Sequence, residues 1–522
     1  MSEIFDVVVI GYGPGGEVTA STIAAAGFKV CVIERWPTAY PLPRLTSIDG
    51  EVARIIQATG ANIDDALQES TVQEAAYFDD SEGDQLMVVE YPGLRCGFAS
   101  RYNVFQPDIE RTIHEKIQTF PNVELNLGWE ATEIVDTGDG VRVTFQEKEG
   151  QKRERTVEAR YLVGADGARS FVRDALGIDM RDYDLHERWL NFDAIKLRPL
   201  PERFEKLRII MDPARPHMFM PIGTKRIRFE CRVMEGETDE HMVEPGVAWG
   251  FLKEKHGLGQ EDIEILRHVV YHYYTRIASE WRRGNTFLVG DAAHTMTPYM
   301  GQGACAAFRD GRNLGWKLVE VLSGRSSENL LDEYEIERKP HVTTIVFGSD
   351  QVSRIVNIVD PEEAAKRNAG MRATGVGQPP DLPDLTAGIL WNGVGGEGQG
   401  MTGLITPQGA LAKNGVTGRG DDIVGSGFQL WARRDPASFL SPKSLDYLAS
   451  IGTATAVFRS HDSAHAVEDI DGVYLGFMDS HHADFVIVRP DFYAFGGGNE
   501  KDGDAVVADL AKRLHTTDAS MA

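Results

Sequence analysis

Gly11-Tyr12-Gly13-Pro14-Gly15-Gly16 is the stretch of sequence that decides the fold. Its glycines match the Gly-x-Gly-x-x-Gly pattern of a turn that binds a dinucleotide between a strand and a helix. The apolar run at 5–11 predicts a buried parallel strand, residues 17–26 predict the helix, and residues 28–34 predict a second strand. Together they predict a βαβ unit that holds a pyrophosphate at the positive helix N-terminus.

Three glycines of this turn have separate predicted tasks. Gly11 permits the tight turn, Gly13 lets the backbone approach a pyrophosphate, and Gly16 lets the helix pack closely on the strand. Glu34 ends the second strand, where a carboxylate accepts hydrogen bonds from ribose hydroxyls and repels a 2′-phosphate. The site therefore suits FAD or NAD rather than NADP. The alternative is a glycine-rich turn without a ligand.

Two later segments have the same strand-then-turn pattern. Residues 161–170 predict a strand that enters a tight turn at Asp166 and Gly167. Residues 286–291 predict another buried strand, and Asp291 stands at its C-terminal end, where doubly wound sheets place ligand groups. A glycine-containing loop at 297–303 then leads into a predicted helix at 304–322.

Composition narrows the class of protein. The chain has 522 residues, enough for two or three domains, and a net charge of -25. Nucleic acid and anionic membrane surfaces are excluded as partners, because binding to them requires clustered Lys and Arg. Glu3 and Asp6 stand where a signal peptide would carry positive charge, so we expect a cytoplasmic protein.

Cysteines and histidines give no indication of a metal site. The four cysteines are far apart and form no CxxC, which is typical of a reduced protein without a disulfide framework or zinc site. His461, His465 and the pair His481-His482 have suggestive spacing, but no further ligand cluster accompanies them. We therefore expect no bound metal.

The order of these motifs resembles the single-component flavoprotein aromatic hydroxylases, such as para-hydroxybenzoate hydroxylase and phenol hydroxylase. The resemblance covers nearly the whole chain. A closer resemblance, to the 3-(3-hydroxyphenyl)propionate hydroxylases, depends on residues 40–44, 212–216 and 299–303. The motifs that carry the family resemblance are GYGPGG at 11–16, ADG at 165–167, GDAAH at 290–294, GQG at 301–303 and DGRNLGWKL at 310–318.

The resemblance implies a resident FAD, with NADH or NADPH as a transient co-substrate. It implies that O2 is activated as a flavin C4a-hydroperoxide, that a phenolic small molecule is hydroxylated, and that the protein is a homodimer. The departures from the family are Thr297, where many relatives have a second proline, and the small residues at 304–307. The implied FAD contacts are Gly11, Gly13, Gly16, Glu34, Arg35, Arg44, Gln106, Asp166, Gly167, Asp291, Pro298, Gly301, Gln302 and Gly303.

Three residues are candidates for catalysis. Asp49 resembles the active-site carboxylate of phenol hydroxylase, but it is equally a helix N-cap. Pro298 matches the family proline near the oxygen-reactive carbon of the flavin. His217 could contact a phenolate or could be structural. Arg226 and Arg228 could meet a substrate carboxylate or could line a solvated strand face.

The predicted fold class is α/β (α+β overall): a Rossmann-like FAD-binding domain, an inserted antiparallel-sheet substrate domain and a C-terminal thioredoxin-like domain. The last domain lacks CxxC, so we expect a structural or dimer-supporting role. Residues 370–400 are rich in Gly and Pro and predict an extended linker. The predicted boundaries are 1–184 and 284–400 for the two parts of the FAD-binding domain, 185–283 for the substrate domain and 401–522 for the C-terminal domain.

Two alternatives to phenol hydroxylation stay open. The first keeps the oxygen chemistry and changes the substrate to a polyketide or a ketone, including Baeyer–Villiger insertion. The second is a flavoprotein that no longer oxygenates and acts as a reductase or a binding protein.

Overall fold

The computed structural model describes residues 3–38, 43–393, 399–459 and 463–517. Part of the 40–44 segment that carries a family resemblance lies outside these residues, as does His461. Among the helices of the described residues, none is long and apolar enough to cross a membrane.

The N-terminal strand Glu3–Ile10 lies inside a mixed sheet of eight strands. It pairs in parallel with Val30–Glu34 on one side and Glu154–Gly164 on the other, and the helix Pro14–Ala25 connects the first two strands. Phe5 and the apolar residues at 7–10 are buried, as expected for a parallel sheet covered on both faces, whereas Ile4 at the start of the strand is exposed. The predicted βαβ unit is therefore confirmed. The remaining strands are Val123–Leu127, Trp129–Asp136, Val141–Glu147, Arg282–Arg283 and Thr286–Leu288.

A second, mostly antiparallel sheet has nine strands, of which Met180–Lys196 and Ile263–Ala278 are the longest. The strands predicted at 189–197, 208–211 and 225–233 are all present in it. The sheet also includes two strands that precede the predicted range 185–283, so the domain boundaries stay a prediction. Its other strands are Ala75–Asp79, Gln85–Glu90, Leu207–Ile210, His217–Ile222, Arg226–Arg232, His294–Thr295 and Gly375–Gly377.

The two faces of this second sheet differ in chemistry, because side chains alternate along each strand. The outer face is apolar and packs under the helix Pro245–Phe251. The inner face is polar and lies against the part of the chain that contains the first sheet: Arg228 donates to the Pro43 carbonyl at 2.6 Å. We define the inner face by Trp189, Asn191, Asp193, Arg228 and Glu230.

The C-terminal part contains a four-stranded sheet in the order Ala454–Val457, Gln429–Ala432, Phe485–Val488, Ala494–Gly498. The first two strands are parallel and the last two form an antiparallel pair. With the helices Pro442–Ser450 and Gly503–Arg513 this gives the βαβ and ββα halves of a thioredoxin-like fold, as predicted.

The predicted linker at 370–400 begins differently from the prediction. The helix Pro361–Thr374 extends into it, and a short strand follows at Gly375–Gly377. Residues 378–393 have little regular structure. The other helices are Gly50–Ala58, Ile63–Ala66, Gln106–Ile117, Phe171–Ala175, Asp239–Met242, Gly303–Leu322, Glu333–Val356, Gly420–Val424 and Val473–Ser480, and the shorter strands are Ser47–Asp49, Thr71–Val72, Leu94–Arg95, Phe98–Ala99, Arg101–Asn103, Ala410–Lys413, Val416–Arg419 and Glu468–Asp469.

Candidate active site

The glycines of the first turn differ in what surrounds them. Gly11 has φ of +98°, and a Cβ there would lie 2.3 Å from the Ala165 carbonyl oxygen. A Cβ on Gly16 would lie 2.1 Å from the Gly11 oxygen, whereas nothing lies within 4 Å of one on Gly13. Gly11 and Gly16 are therefore needed for packing, while Gly13 faces open space. This is the geometry in which a ligand approaches the backbone closely.

The helix that follows this turn is suited to an anionic group. Gly13 is its N-cap and provides no side-chain cap, so the first N–H groups of the helix are not satisfied by a capping side chain. Glu34 accepts from the Tyr12 N–H at 2.8 Å and the Trp36 N–H at 2.9 Å, which fixes the carboxylate beside the turn. These residues fit an FAD pyrophosphate and ribose. The ribose contact of Glu34 stays a prediction.

Gln106 connects a loop to a helix. Its Oε1 accepts from the N–H groups of Arg44 at 2.8 Å and Leu45 at 2.7 Å, and its Nε2 donates to Glu110 at 2.5 Å. Burial raises the pKa of Glu110 to about 7, although the hydrogen bond from Gln106 opposes the shift. Gln106 therefore positions the backbone at Arg44, and direct contact of either residue with FAD stays a prediction.

The turn at Asp166 and Gly167 forms a second wall of the site. The Asp166 carboxylate accepts from the Ser170 hydroxyl at 2.5 Å and the Val172 N–H at 3.1 Å. Arg35 donates to the Asp166 carbonyl at 3.2 Å, and Gly167 has φ of +83°. The turn is thus held by Arg35 on one side and by the start of the following helix on the other. This arrangement brings the predicted site residues Arg35, Asp166 and Gly167 together.

Asp310, the first residue of the DGRNLGWKL motif, contacts the GDAAH motif at 290–294. It accepts from the Gly290 N–H at 3.2 Å, from His294 at 2.7 Å and from Arg338 at 2.8 Å. Burial opposes ionisation, but Arg338 and His294 outweigh it and hold the pKa of Asp310 below its usual value. These contacts fix the turn at 290–294, in which Asp291 is exposed to solvent. Sequence reasoning missed this function of the DGRNL motif.

Asp49 caps a helix and also takes part in a buried ion pair. Its Oδ1 accepts from the Val52 N–H at 3.1 Å, and its Oδ2 accepts from Arg309 at 2.6 Å and Gln302 at 3.1 Å. Burial opposes ionisation, but Arg309 and Arg95 lower the pKa of Asp49 to about 2. A carboxylate with such a pKa is a weak proton acceptor at neutral pH. Its catalytic role stays a prediction.

The loop at 297–303 is closely packed. A Cβ on Gly301 would lie 2.2 Å from the Arg101 guanidinium, and the backbone there has φ of +60°. The Pro298 carbonyl accepts from the Gly301 N–H at 2.8 Å, and the helix Gly303–Leu322 begins directly after the loop. Gln302 is its N-cap without a side-chain cap. The proximity of Pro298 to the flavin stays a prediction.

His217 lies on the outer face of the second sheet, where its partner on the neighbouring strand is Cys231. Its Nδ1 lies 2.8 Å from the Arg215 carbonyl, and its ring lies 5.3 Å from Phe251. Burial lowers its pKa. The surroundings are those of a structural histidine, the alternative considered from the sequence, and the geometry gives a catalytic role no support.

Of the two candidate arginines in the strand Arg226–Arg232, only Arg226 is partly exposed, so a solvated face is wrong for Arg228. Arg228 is buried and pairs with Asp193 at 2.7 Å. Arg226 lies over the Phe105 ring at 3.6 Å. The second sheet is held against the part of the chain that contains the first sheet by Arg226, through Phe105, and by Arg228, which donates to the Pro43 carbonyl.

The inner face contains a polar cluster that sequence reasoning missed. Asn191 Nδ2 donates to Glu230 at 3.1 Å and to the Tyr273 hydroxyl at 3.0 Å. Nearby, the rings of Trp189 and Tyr299 are 6.0 Å apart. The available signal was the polar alternation along the strand at 225–233, which contains a glutamate between arginines. Among the described residues, no group of three His, Cys, Asp or Glu side chains could hold a metal ion.

Comparison with protein families gives two matches. A model described as "FAD binding domain" matches residues 5–349, and one described as "HcaD C-terminal domain" matches residues 403–513. A probable NADH-specific resorcinol 4-hydroxylase from Rhodococcus jostii (strain RHA1) is 33% identical, over 98% of this chain and 94% of the relative. A 3-(3-hydroxy-phenyl)propionate/3-hydroxycinnamic acid hydroxylase from Mycobacterium sp. (strain JLS) is 30% identical, over 98% and 92%.

Solved structures share the fold over the full length. The flavin-dependent monooxygenase PieE, in complex with FAD and substrate, has a TM-score of 0.79 and 19% identity, covering 98% of this chain and 99% of that one. Aklavinone-11 hydroxylase with FAD and aklavinone has a TM-score of 0.76 and 21% identity, covering 97% and 99%. At these identities the likeness confirms the architecture alone.

Proposed function

We propose that this chain, which belongs to the family described as an FAD binding domain, hydroxylates a small dihydroxylated phenol of the resorcinol type. The chain is an FAD-dependent monooxygenase of phenolic compounds and uses a nicotinamide co-substrate. NADH is the proposed co-substrate, on the strength of the full-length similarity to a probable NADH-specific resorcinol 4-hydroxylase.

The balance of charges on the inner face is the observation that favours an uncharged phenol as the substrate. Arg228 and Arg267 both donate to Asp193, at 2.7 Å each, and Arg228 also lies 3.8 Å from Glu230. With Glu230 ionised, two guanidinium groups face two carboxylates, which leaves no excess positive charge for a substrate carboxylate. A neutral phenol with several hydroxyl groups suits these acceptors better than a phenylpropionate.

Each part of the chain then has a proposed task around the reaction. The turn at 11–16, Glu34 and the Asp166 turn would hold FAD, and the bound FAD would supply the oxygen chemistry. The N-terminus of the helix Gly303–Leu322, which has no side-chain cap, would favour a negative charge placed beside it. Trp189 and Tyr299 exclude water from the side of the inner face.

3-(3-Hydroxyphenyl)propionate is the second candidate substrate. The 30% identity over nearly the full length of a hydroxylase named for this compound favours it. It ranks below resorcinol because its carboxylate would need a cation that the described inner face does not leave unpaired. We also propose that the protein acts in the cytoplasm as a homodimer, as the family resemblance implies. Size-exclusion chromatography with light scattering would measure the oligomeric state.

Steady-state turnover of the purified yellow protein would test the proposed function. NADH oxidation would be recorded with resorcinol, phenol and 3-(3-hydroxyphenyl)propionate, and peroxide and aromatic products would be quantified. We expect resorcinol to stimulate NADH oxidation most and to yield a trihydroxylated product with little peroxide. Stimulation by the phenylpropionate alone would favour the second candidate. Stimulation without any oxygenated product would favour a non-oxygenating flavoprotein.

A further inference from the structure

We propose that Glu230, Asn191 and Tyr273 form the subsite for the substrate hydroxyl groups, and that Glu230 accepts the proton of the phenol whose ring is attacked. This inference rests on the proposed function, because it assigns residues to the substrate of that reaction. The phenolic O–H bond breaks and an O–H bond forms on the glutamate. The electron pair stays on the phenolate and makes the ring carbons ortho and para to it more nucleophilic.

Glu230, Asn191 and Tyr273 lie where the second sheet meets the FAD-binding part. Trp189, Asn191 and Asp193 alternate on one strand and therefore share the inner face. The Trp189 ring contacts Tyr299, which follows Pro298 in the glycine-containing loop. On the other side, Asp193 pairs with Arg228, which donates to the Pro43 carbonyl. Asn191 is thus flanked on both sides by contacts to the FAD-binding part.

Asn191 has an acceptor that the protein does not use. Its side-chain nitrogen donates to both Glu230 and Tyr273, so its two N–H bonds are committed. Its Oδ1 is buried and has no hydrogen-bond partner, and the residue is 1% exposed. A buried acceptor without a donor costs free energy, and a donor from a bound molecule removes that cost. A substrate O–H is such a donor.

Glu230 is suited to accept a proton near neutral pH. Burial raises its pKa to about 7, and Asp193 adds to the shift while Arg228 opposes it. Tyr273 and Tyr299 also interact electrostatically with Glu230. A base whose pKa is close to the working pH is effective in proton transfer, whereas Asp49, with its low pKa, is not.

Three variants of the FAD-loaded enzyme would test the subsite. Glu230→Gln keeps the side-chain shape and removes the base, and Tyr273→Phe removes one hydroxyl. Glu237→Gln is the matched control, because Glu237 pairs with Arg215 away from the inner face. Resorcinol binding would be measured from the flavin absorbance change, and hydroxylation from product formation across pH.

We expect Glu230→Gln to lower the hydroxylation rate by about 100-fold, the lower end of general-base effects. Wild-type hydroxylation is expected to fall as pH drops below about 7, because Glu230 must be unprotonated, and this dependence disappears in the variant. We expect Tyr273→Phe to weaken resorcinol binding by about 10-fold, the factor that one hydrogen bond provides. The control is expected to match the wild type.

Two results would overturn the inference in distinguishable ways. If the wild type hydroxylates resorcinol and both inner-face variants retain its affinity, rate and pH profile, the subsite is wrong and the proposed function stands. If the wild type neither binds nor hydroxylates any phenol, the proposed function and the subsite fall together. If Glu230→Gln does not retain FAD, Tyr273→Phe decides, because it removes a single oxygen atom.

Discussion

Glu337 connects the FAD-binding part to the C-terminal part through a buried cluster of charged groups. It accepts from Arg489 at 2.6 and 2.8 Å, from Lys317 at 2.6 Å and from the Ile389 N–H at 2.8 Å. Asp491 accepts from the same arginine at 2.7 Å. Two buried cations therefore face two buried carboxylates, and this cluster holds the helix Glu333–Val356 against the turn after Phe485–Val488.

Replacing this carboxylate by an amide, Glu337→Gln, should destabilise the protein strongly. One acceptor oxygen becomes an N–H donor that faces other donors, and the buried cluster gains one positive charge. Removing one partner of a buried ion pair costs about 3–5 kcal/mol. Lys317, whose pKa burial already lowers to about 8, can release its proton, so we expect the lower end of that range.

Urea denaturation followed by tryptophan fluorescence would measure the free energy of unfolding, and limited proteolysis would report release of residues 399–517. We expect a loss of about 3 kcal/mol and earlier cleavage in that region. Glu363→Gln is the control, because its exposed pair with Lys366 should contribute nothing measurable. A loss in Glu337→Gln as small as in the control would refute the reasoning and would leave the C-terminal part only loosely attached.

Four further substitutions test other parts of the site. Gly13→Ala should fold normally but lose FAD, whereas Gly11→Ala should fold poorly because of its clash with a carbonyl oxygen; flavin content and melting temperature separate the two. Glu17 is buried without a hydrogen-bond partner, and burial raises its pKa well above 4.5. The folded protein therefore holds this proton more tightly than the unfolded chain, and the protein loses stability as the pH rises above about 4.5. Glu17→Met should therefore be more stable at pH 8 by about 1–3 kcal/mol, with the gap shrinking toward pH 4; a pH-independent difference would contradict this. Asp49→Asn should lower the urea midpoint by removing one of the two carboxylates, Asp49 and Glu51, that face the buried Arg309. Full stability with slowed hydroxylation would instead give Asp49 the catalytic role.

The parts of the fold that depend on local chemistry were predictable from the sequence. Gly11 and Gly16 could be assigned because strand, turn and helix are adjacent in the chain. The alternation at 225–233 predicted a strand, and Asp49 was recognised as a possible cap. In each case the residues that decide the structure lie within one or two elements of each other.

The parts of the site that depend on distant partners were not predictable. Asp49 pairs with an arginine 260 positions later, and Asn191 meets Tyr273 across 82 positions. Which face of a strand is buried, and against what, depends on sheet order, and a single sequence does not contain that order. This is why His217 was named as a candidate and Glu230 was not.

The most direct test of the account is a single turnover experiment with resorcinol, NADH and isotopically labelled oxygen gas. The account predicts that the aromatic product gains one labelled oxygen atom for each NADH consumed, with little peroxide released. Consumption of NADH with all the oxygen recovered as peroxide, or a label found only in water, would contradict the claim that this chain is a phenol hydroxylase acting on such a substrate.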